Sequence, residues 1–165
     1  MASPYLDAHL ELAVAIAAAA QHTDRLEYVY GVIDVVRRPP ALIAQTLLTL
    51  DHATRGNVTA IIAIGENKQM KQYGSSRKGA IDKLHDSLEI VQKFLATTDA
   101  ISFQGRVWNL DRASVGLPRY GDRKPPVWVA GGGPDTWSSS ENTPTAGSPM
   151  CPAQPKTIRK SSPNR

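Results

Sequence analysis

Three short stretches carry residue types that can work on a bound ligand: Tyr30-Gly31-Val32-Ile33-Asp34, Gly65-Glu66-Asn67 and Ala130-Gly131-Gly132-Gly133. In each, glycine stands at or near the end of an apolar run. Glycine lets backbone approach a flat ring or a phosphate that a Cβ would hold away. A carboxylate in the same place moves a proton or orients a ring, which makes Asp34, Glu66 and the neighbouring Asn67 the polar candidates. Each stretch also has a plainer reading: Gly31 as a bulge, Glu66 as a solvated loop charge, and the three consecutive glycines as a flexible turn. The glycine run is not a G-x-G-x-x-G fingerprint. Arg37-Arg38 fits a phosphate or a solvated loop pair. His9, His22, His52 and His85 are scattered without metal-ligand spacing, and no metal site is expected. Cys151 is the sole cysteine; it excludes an internal disulfide framework and has no base beside it in sequence.

The elements that would position these stretches alternate in period. Ser3-Pro4 reads as the start of a helix running to about His22, with Leu6, Leu10, Val14, Ala17 and Ala18 as its apolar stripe. Leu26 to Ile33 is β-branched and aromatic, hence a strand, and Asp34 to Arg38 a polar loop. Pro39-Pro40 opens a second helix with Ala44, Leu47, Leu48 and Leu50 on its buried face, ended by Gly56 as a C′ glycine. Val58 to Ile64 reads as a strand buried on both faces, followed by a loop from Lys68 to Gly79. A third helix shows the cleanest period: Ile81, Leu84, Leu88, Val91 and Leu95 on one side, with Asp82, Lys83, Asp86, Glu89 and Lys93 on the other. Ser102 to Leu110 reads as a hairpin turning at Gln104-Gly105, and Val127 to Ala130 as another strand. Trp108 and Trp128 read as packing residues. Apolar strands alternating with amphipathic helices predict an α/β fold built on a parallel sheet, whose sites form at the carboxyl ends of the strands.

Composition bounds the rest. The chain has 165 residues, 41% hydrophobic and 21% charged, with a net charge of +4. This is globular composition and no nucleic-acid signature. Half of that charge sits in residues 135–165, where four cations face two acids among five prolines, six serines and four threonines. That segment is expected to be a disordered tail, so residues 1–134 are expected to fold and residues 135–165 to form the tail. The most apolar run, Ala13 to Ala20, is too short to span a bilayer, and no Lys or Arg precedes Arg25 as a signal peptide would require. A cytoplasmic location is expected.

The three strand ends, in this order, resemble the luciferase-like monooxygenase family, and within it the coenzyme F420-dependent oxidoreductases. Tyr30-Gly-Val-Ile-Asp34, Arg37-Arg-Pro-Pro-Ala-Leu-Ile-Ala-Gln45 and Leu50-Asp-His-Ala-Thr-Arg-Gly56 are similar to that family's third strand and following helix. Gly65-Glu-Asn67 resembles the end of its fourth strand. Trp108-Asn-Leu110 and Pro126-Val-Trp-Val-Ala-Gly-Gly-Gly-Pro134 resemble its hairpin and fifth strand. A looser likeness runs to mycobacterial phthiodiolone ketoreductases. The resemblance implies a (β/α)8 barrel carrying coenzyme F420, or alternatively FMN, over its carboxyl face, and hydride transfer to or from a small organic or lipid substrate. It places Gly31 and Val32 under the ring, at a non-prolyl cis peptide. Asp34, Asn67, Ala130, Gly131 and Gly132 would join them as cofactor-binding residues. Glu66 would be the catalytic proton donor or acceptor, also touching the cofactor.

The chain departs from that pattern at three points. Ile61 and Ala63 stand where the family has glycines. A complete barrel takes about 250 residues and rarely under roughly 200, so the first two and the last strands are expected to be missing here. Permissible codons for Asp135 to Pro152, read from each third base, spell the Ala-Asp-Gly-Trp strand opening of the family, which points to a frameshift near Pro134 that the gene sequence would test. The expectation is therefore a partial barrel of about three parallel strands with flanking helices and a hairpin. As an oxidoreductase it would be incomplete; the alternative is a non-catalytic truncated remnant. Exposed sheet edges would drive homo-oligomerisation or aggregation.

Overall fold

The computed structural model describes residues 10–131, without the side chains of Lys68 and Gln69. Nine elements follow in order: α1 (Leu12–Ala19), β1 (Tyr28–Asp34), α2 (Pro40–Ala53), β2 (Val58–Ala63), α3 (Asn67–Gln72), α4 (Ala80–Ala96), β3 (Ile101–Gln104), β4 (Asn109–Ala113) and β5 (Val127–Val129). β1, β2 and β5 form a parallel sheet in the order β1-β2-β5, and β3 pairs with β4 antiparallel. This is the expected α/β arrangement of three parallel strands, flanking helices and a hairpin.

Alternation along the strands decides which face is covered. Tyr28 and Tyr30 on β1, and Val58, Ala60 and Ile62 on β2, are buried against the helices. α2 supplies Ile43, Ala44, Leu47 and Leu48, each fully buried, and α4 supplies Leu84, Leu88, Val91 and Leu95. Those α4 positions recur at the 3.6-residue period, so one stripe meets the sheet and α2. Burying each such leucine contributes about 1.5–3 kcal/mol. The opposite face is different: Val29 is 46% exposed, and Thr59, Ile61 and Trp128 are only partly covered. β2 is therefore not buried on both faces as its continuous apolar run suggested. A parallel sheet is normally covered on both faces; here, among the described residues, the helices cover one.

Several boundaries move for local physical reasons. α1 starts at Leu12, because Glu11 caps it: its Oε2 accepts from the Val14 N–H at 3.0 Å. The expected start at Ser3-Pro4, and Leu6 of the stripe, lie outside the described residues. Leu10 and Val14 face outward at 84% and 68% exposure, while Ile16 and Ala20 are the buried residues. A run of alanines has no period from which to choose a face. The second helix ends in a Schellman turn whose C′ residue is Arg55 (φ 55°), with Gly56 (φ +85°) one position later. Arg55 N–H bonds His52 O, and Gly56 N–H bonds Asp51 O, closing the turn. The stretch read as a loop from Lys68 to Gly79 contains the short helix α3. Asp86, placed by period on the solvated face of α4, is 5% exposed, because its Oδ2 accepts from the N–H groups of Val107 (2.7 Å) and Trp108 (2.9 Å) in the hairpin turn. Trp108 packs on the core as expected, and Trp128 lies on the open face. The tail 135–165 lies outside the described residues.

Candidate functional site

Parallel pairing in the order β1-β2-β5 brings the three carboxyl ends to one edge of the sheet. Asp34 pairs with Ala63 across β1 and β2, and Ile62 with Val129 across β2 and β5. Beyond those pairs come Gly65-Glu66-Asn67 on one side and Ala130-Gly131 on the other. Gly31, Val32, Asp34, Glu66, Asn67, Ala130 and Gly131 therefore share that edge. Gly132 lies outside the described residues.

At the end of β1 the ladder slips. Tyr30 pairs with Ala60 but Ile33 with Ile62, so Gly31 and Val32 together oppose Ile61. The Gly31–Val32 peptide is cis, as the sequence likeness implied. Gly31 is required by contact. A Cβ there would lie 2.6 Å from Ile61 Cβ and 2.9 Å from Ile61 O, closer than real Cβ atoms approach. Val32 is left 62% exposed. Sequence reasoning registered Ile61 only as a departure from a glycine pattern; its contact with Gly31 joins residues thirty positions apart.

Asp34 is buried, and both of its oxygens are taken by the chain. Oδ1 accepts from the Arg37 N–H at 2.8 Å, and Oδ2 accepts from Arg37 Nε at 2.7 Å, with Nη2 at 2.6 Å. Its role in the geometry is to fold the β1–α2 loop. The guanidinium of Arg37 also lies over the Tyr73 ring, 5.0 Å from its centroid. Arg38 turns the other way: Nη1 donates to the Tyr30 hydroxyl at 2.6 Å and Nη2 to Glu11 Oε1 at 2.8 Å. The hydrogen bond from Arg38 holds the Glu11 carboxyl below its ordinary range, and burial pushes the Tyr30 hydroxyl upward. The two arginines are thus neither a solvated pair nor free for a phosphate. Each fixes one wall of the loop.

The β2 end is held from beneath. Gly65 (φ +72°) sits so close to the Met70 methyl and to Asp34 Cβ that no side chain fits there. Met70 is fully buried, and its N–H bonds Glu66 O at 3.0 Å as α3 begins. Glu66 and Asn67 remain exposed. Ala63 is 8% exposed and falls on the same face of β2 as Ile61, which lies against Gly31 as an apolar surface beside Val32. A planar apolar ring fits this edge: Val32 and Ile61 offer a floor, and Glu66 and Asn67 offer exposed polar groups. Among the described residues there is no cluster of metal-ligating side chains, and no helix is long and apolar enough to cross a membrane.

Comparison with known proteins gives the family and the fold. Residues 3–139 match the family described as luciferase-like monooxygenase. A phthiodiolone/phenolphthiodiolone dimycocerosates ketoreductase of Mycobacterium kansasii is 31% identical over 111 residues, which cover 67% of this chain and 30% of the relative. The chain thus spans about three-tenths of the length of that curated relative. Among solved structures, the coenzyme F420-dependent tetrahydromethanopterin reductase of Methanopyrus kandleri superposes with a TM-score of 0.71 at 15% identity, covering 79% of this chain and 42% of that one. A riboflavin lyase with modified FMN superposes with a TM-score of 0.68 at 16% identity, covering 81% and 35%. At such identities the structural likeness concerns the fold.

Proposed function

From the premise that this chain belongs to the luciferase-like monooxygenase family, we propose that it carries the ring-binding portion of an oxidoreductase that uses coenzyme F420, or in the alternative FMN. The observation that carries this reading is the convergence of three parallel strand ends, with a glycine held against Ile61 on one and an exposed carboxylate on the next. When bound, such a cofactor supplies a hydride acceptor or donor for a small organic or lipid carbonyl or alcohol. Gly31, Val32, Ala130, Gly131 and Gly132 would line the ring with backbone and small apolar groups, excluding water from one side. Asn67 would orient the ring edge by hydrogen bonding. Glu66 would hold the proton that accompanies the hydride, giving it to a carbonyl oxygen in reduction or taking it from a hydroxyl in oxidation. Asp34 would act indirectly, keeping the β1–α2 loop clear of the ring through Arg37.

Titration of the purified 165-residue chain with F420 and with FMN, followed by absorbance and fluorescence, tests this. Saturable quenching with micromolar affinity for one of them is expected, and the absence of a spectral change with both would overturn it. The uncovered sheet face favours a second reading, in which the chain alone is non-catalytic and another polypeptide, such as a second copy, must cover Val29 and Val32 before the ring is held. In that case binding rises with protein concentration and tracks oligomer formation by light scattering.

A further inference from the structure

Glu66 meets a ligand seated on Gly31–Val32 only while the short segment that begins with it keeps its place. α3 (Asn67–Gln72) has six residues, well under the roughly 12–15 below which an isolated helix is marginal in water. Glu66 is joined to it through its carbonyl, which accepts from the Met70 N–H at 3.0 Å. The position of the carboxylate therefore depends on what holds α3 from outside.

Two contacts hold it against the end of β1. Gly65 is wedged between the Met70 methyl and the Cβ of Asp34, the last residue of β1. Just past the other end of α3, the Tyr73 ring meets the Arg37 guanidinium, 5.0 Å from carbon to ring centroid. Arg37 is itself anchored: Asp34 accepts from its N–H on one oxygen and from its guanidinium on the other. A guanidinium fixed at its edge by a buried carboxylate presents a flat face, and an aromatic ring covers such a face well. Tyr73 N–H then bonds Met70 O at 3.1 Å, and Ser75 N–H bonds the same carbonyl at 2.8 Å. The contacts close a circuit from Asp34 through Arg37, Tyr73, Met70 and Gly65 back to Asp34. Both parts of the ring site hang from it, since Asp34 follows Val32 by two residues and Glu66 adjoins Gly65. Tyr73 is 59% exposed and takes no part in the core, so burial does not account for its place.

We propose that Tyr73 is a positioning residue for Glu66: by closing on Arg37 it fixes the carboxylate relative to the Gly31–Val32 platform. This rests on the ring reading of the site. The fixing matters because a reacting group misplaced by about 1 Å costs up to roughly 100-fold in rate.

The test needs no substrate. The full chain is compared by NMR with Tyr73→Leu and Tyr73→Phe, using F420 and FMN as probes. Before either is added, the amides of Met70, Tyr73 and Ser75 should exchange about three- to five-fold faster in Tyr73→Leu. The amide of Ala60 on β2, bonded to Pro126 O, should exchange at the same rate in every chain. The melting temperature should be nearly unchanged, because the ring removed is exposed. With the cofactor bound, the Val32 methyl resonances should shift equally in all three chains. The accompanying shift of the Glu66 side-chain resonances should be about two-fold smaller in Tyr73→Leu. Tyr73→Phe keeps the aromatic face and should restore both exchange and shift. Exchange and Glu66 shifts that Tyr73→Leu leaves unaltered overturn the proposal. So does a Tyr73→Phe chain that behaves as Tyr73→Leu, or a large fall in the Tyr73→Leu melting temperature, which would make the ring structural. If neither cofactor moves the Val32 methyls of the unchanged chain, the ring site falls and the positioning with it; if Val32 responds in every chain and Glu66 is indifferent to Tyr73, only the positioning falls.

Discussion

The two ends of the parallel sheet are built on opposite principles. At the amino end, side chains with chemical capacity are spent inside the molecule. Asp51, 1% exposed at the close of α2, accepts from the Tyr120 N–H at 2.7 Å. His52 Nε2 meets Pro118 O at 2.8 Å, and its ring stands edge-on to Tyr120 with centroids 5.8 Å apart. The segment before β5 is thereby clasped to α2. At the carboxyl end the chain spends glycines and arginines on shaping a surface and leaves Val32, Glu66 and Asn67 exposed. Groups committed to stability thus gather at the amino end and exposed polar groups at the other, the division that parallel β/α proteins show generally. An uncommitted polar group is a better guide to function here than an unusual residue type.

This contrast can be broken by substitution, and the largest effect is expected at Glu66. Glu66→Gln should lower the single-turnover rate of hydride transfer about 100-fold or more while leaving the melting temperature and cofactor affinity nearly unchanged. A large loss of stability instead would show that the exposed carboxylate is structural. Gly31→Ala comes next and should affect both properties. Its Cβ meets Ile61 backbone, so urea unfolding should report a loss of about 1–3 kcal/mol, and ring binding should weaken as the bulge shifts. Unaltered unfolding would mean that the contact with Ile61 relaxes freely. The smallest effect belongs to the amino end and depends on pH. Burial raises the Asp51 carboxyl above its usual range, opposed by the Tyr120 N–H and by His52, Arg119 and Arg123. The folded chain therefore holds this proton more tightly than the unfolded chain. Its contribution to stability is full below the ordinary aspartate value and is lost as pH rises through the raised one. Asp51→Asn keeps an acceptor for Tyr120 without the buried charge. Its melting temperature should exceed that of the unchanged chain by the order of 1 °C near neutral pH, with the gap closing on acidification. A gap that widens on acidification would reverse the assignment.

Legibility followed the range of the forces. The α4 stripe and the core face of α2 were readable because burial at a 3.6-residue period leaves a periodic trace. The closing turn near Gly56 was readable too, although Arg55 rather than Gly56 takes the C′ place. Asp86 was misread because its two partners lie more than twenty residues away in the hairpin turn. Nothing in the helix period distinguishes a carboxylate that caps a turn from one in water. The facing of α1 was lost in its alanines. At the site, glycine beside the β1 end and a carboxylate beyond β2 were visible, but their shared edge depends on strand order, which no single strand encodes.

The sequence by itself determined the parallel α/β class, the helices' buried stripes and the family to which the chain belongs, because period and local motif are properties of neighbouring residues. The tertiary structure alone decided that Asp34 is spent on Arg37, that Gly31 is closed by Ile61, and that Glu66 stays exposed beyond β2. Those outcomes depend on which distant groups meet once the strands pair. A side chain's freedom to do chemistry is what remains after its neighbours in space, rather than in sequence, have claimed its hydrogen bonds and its charge.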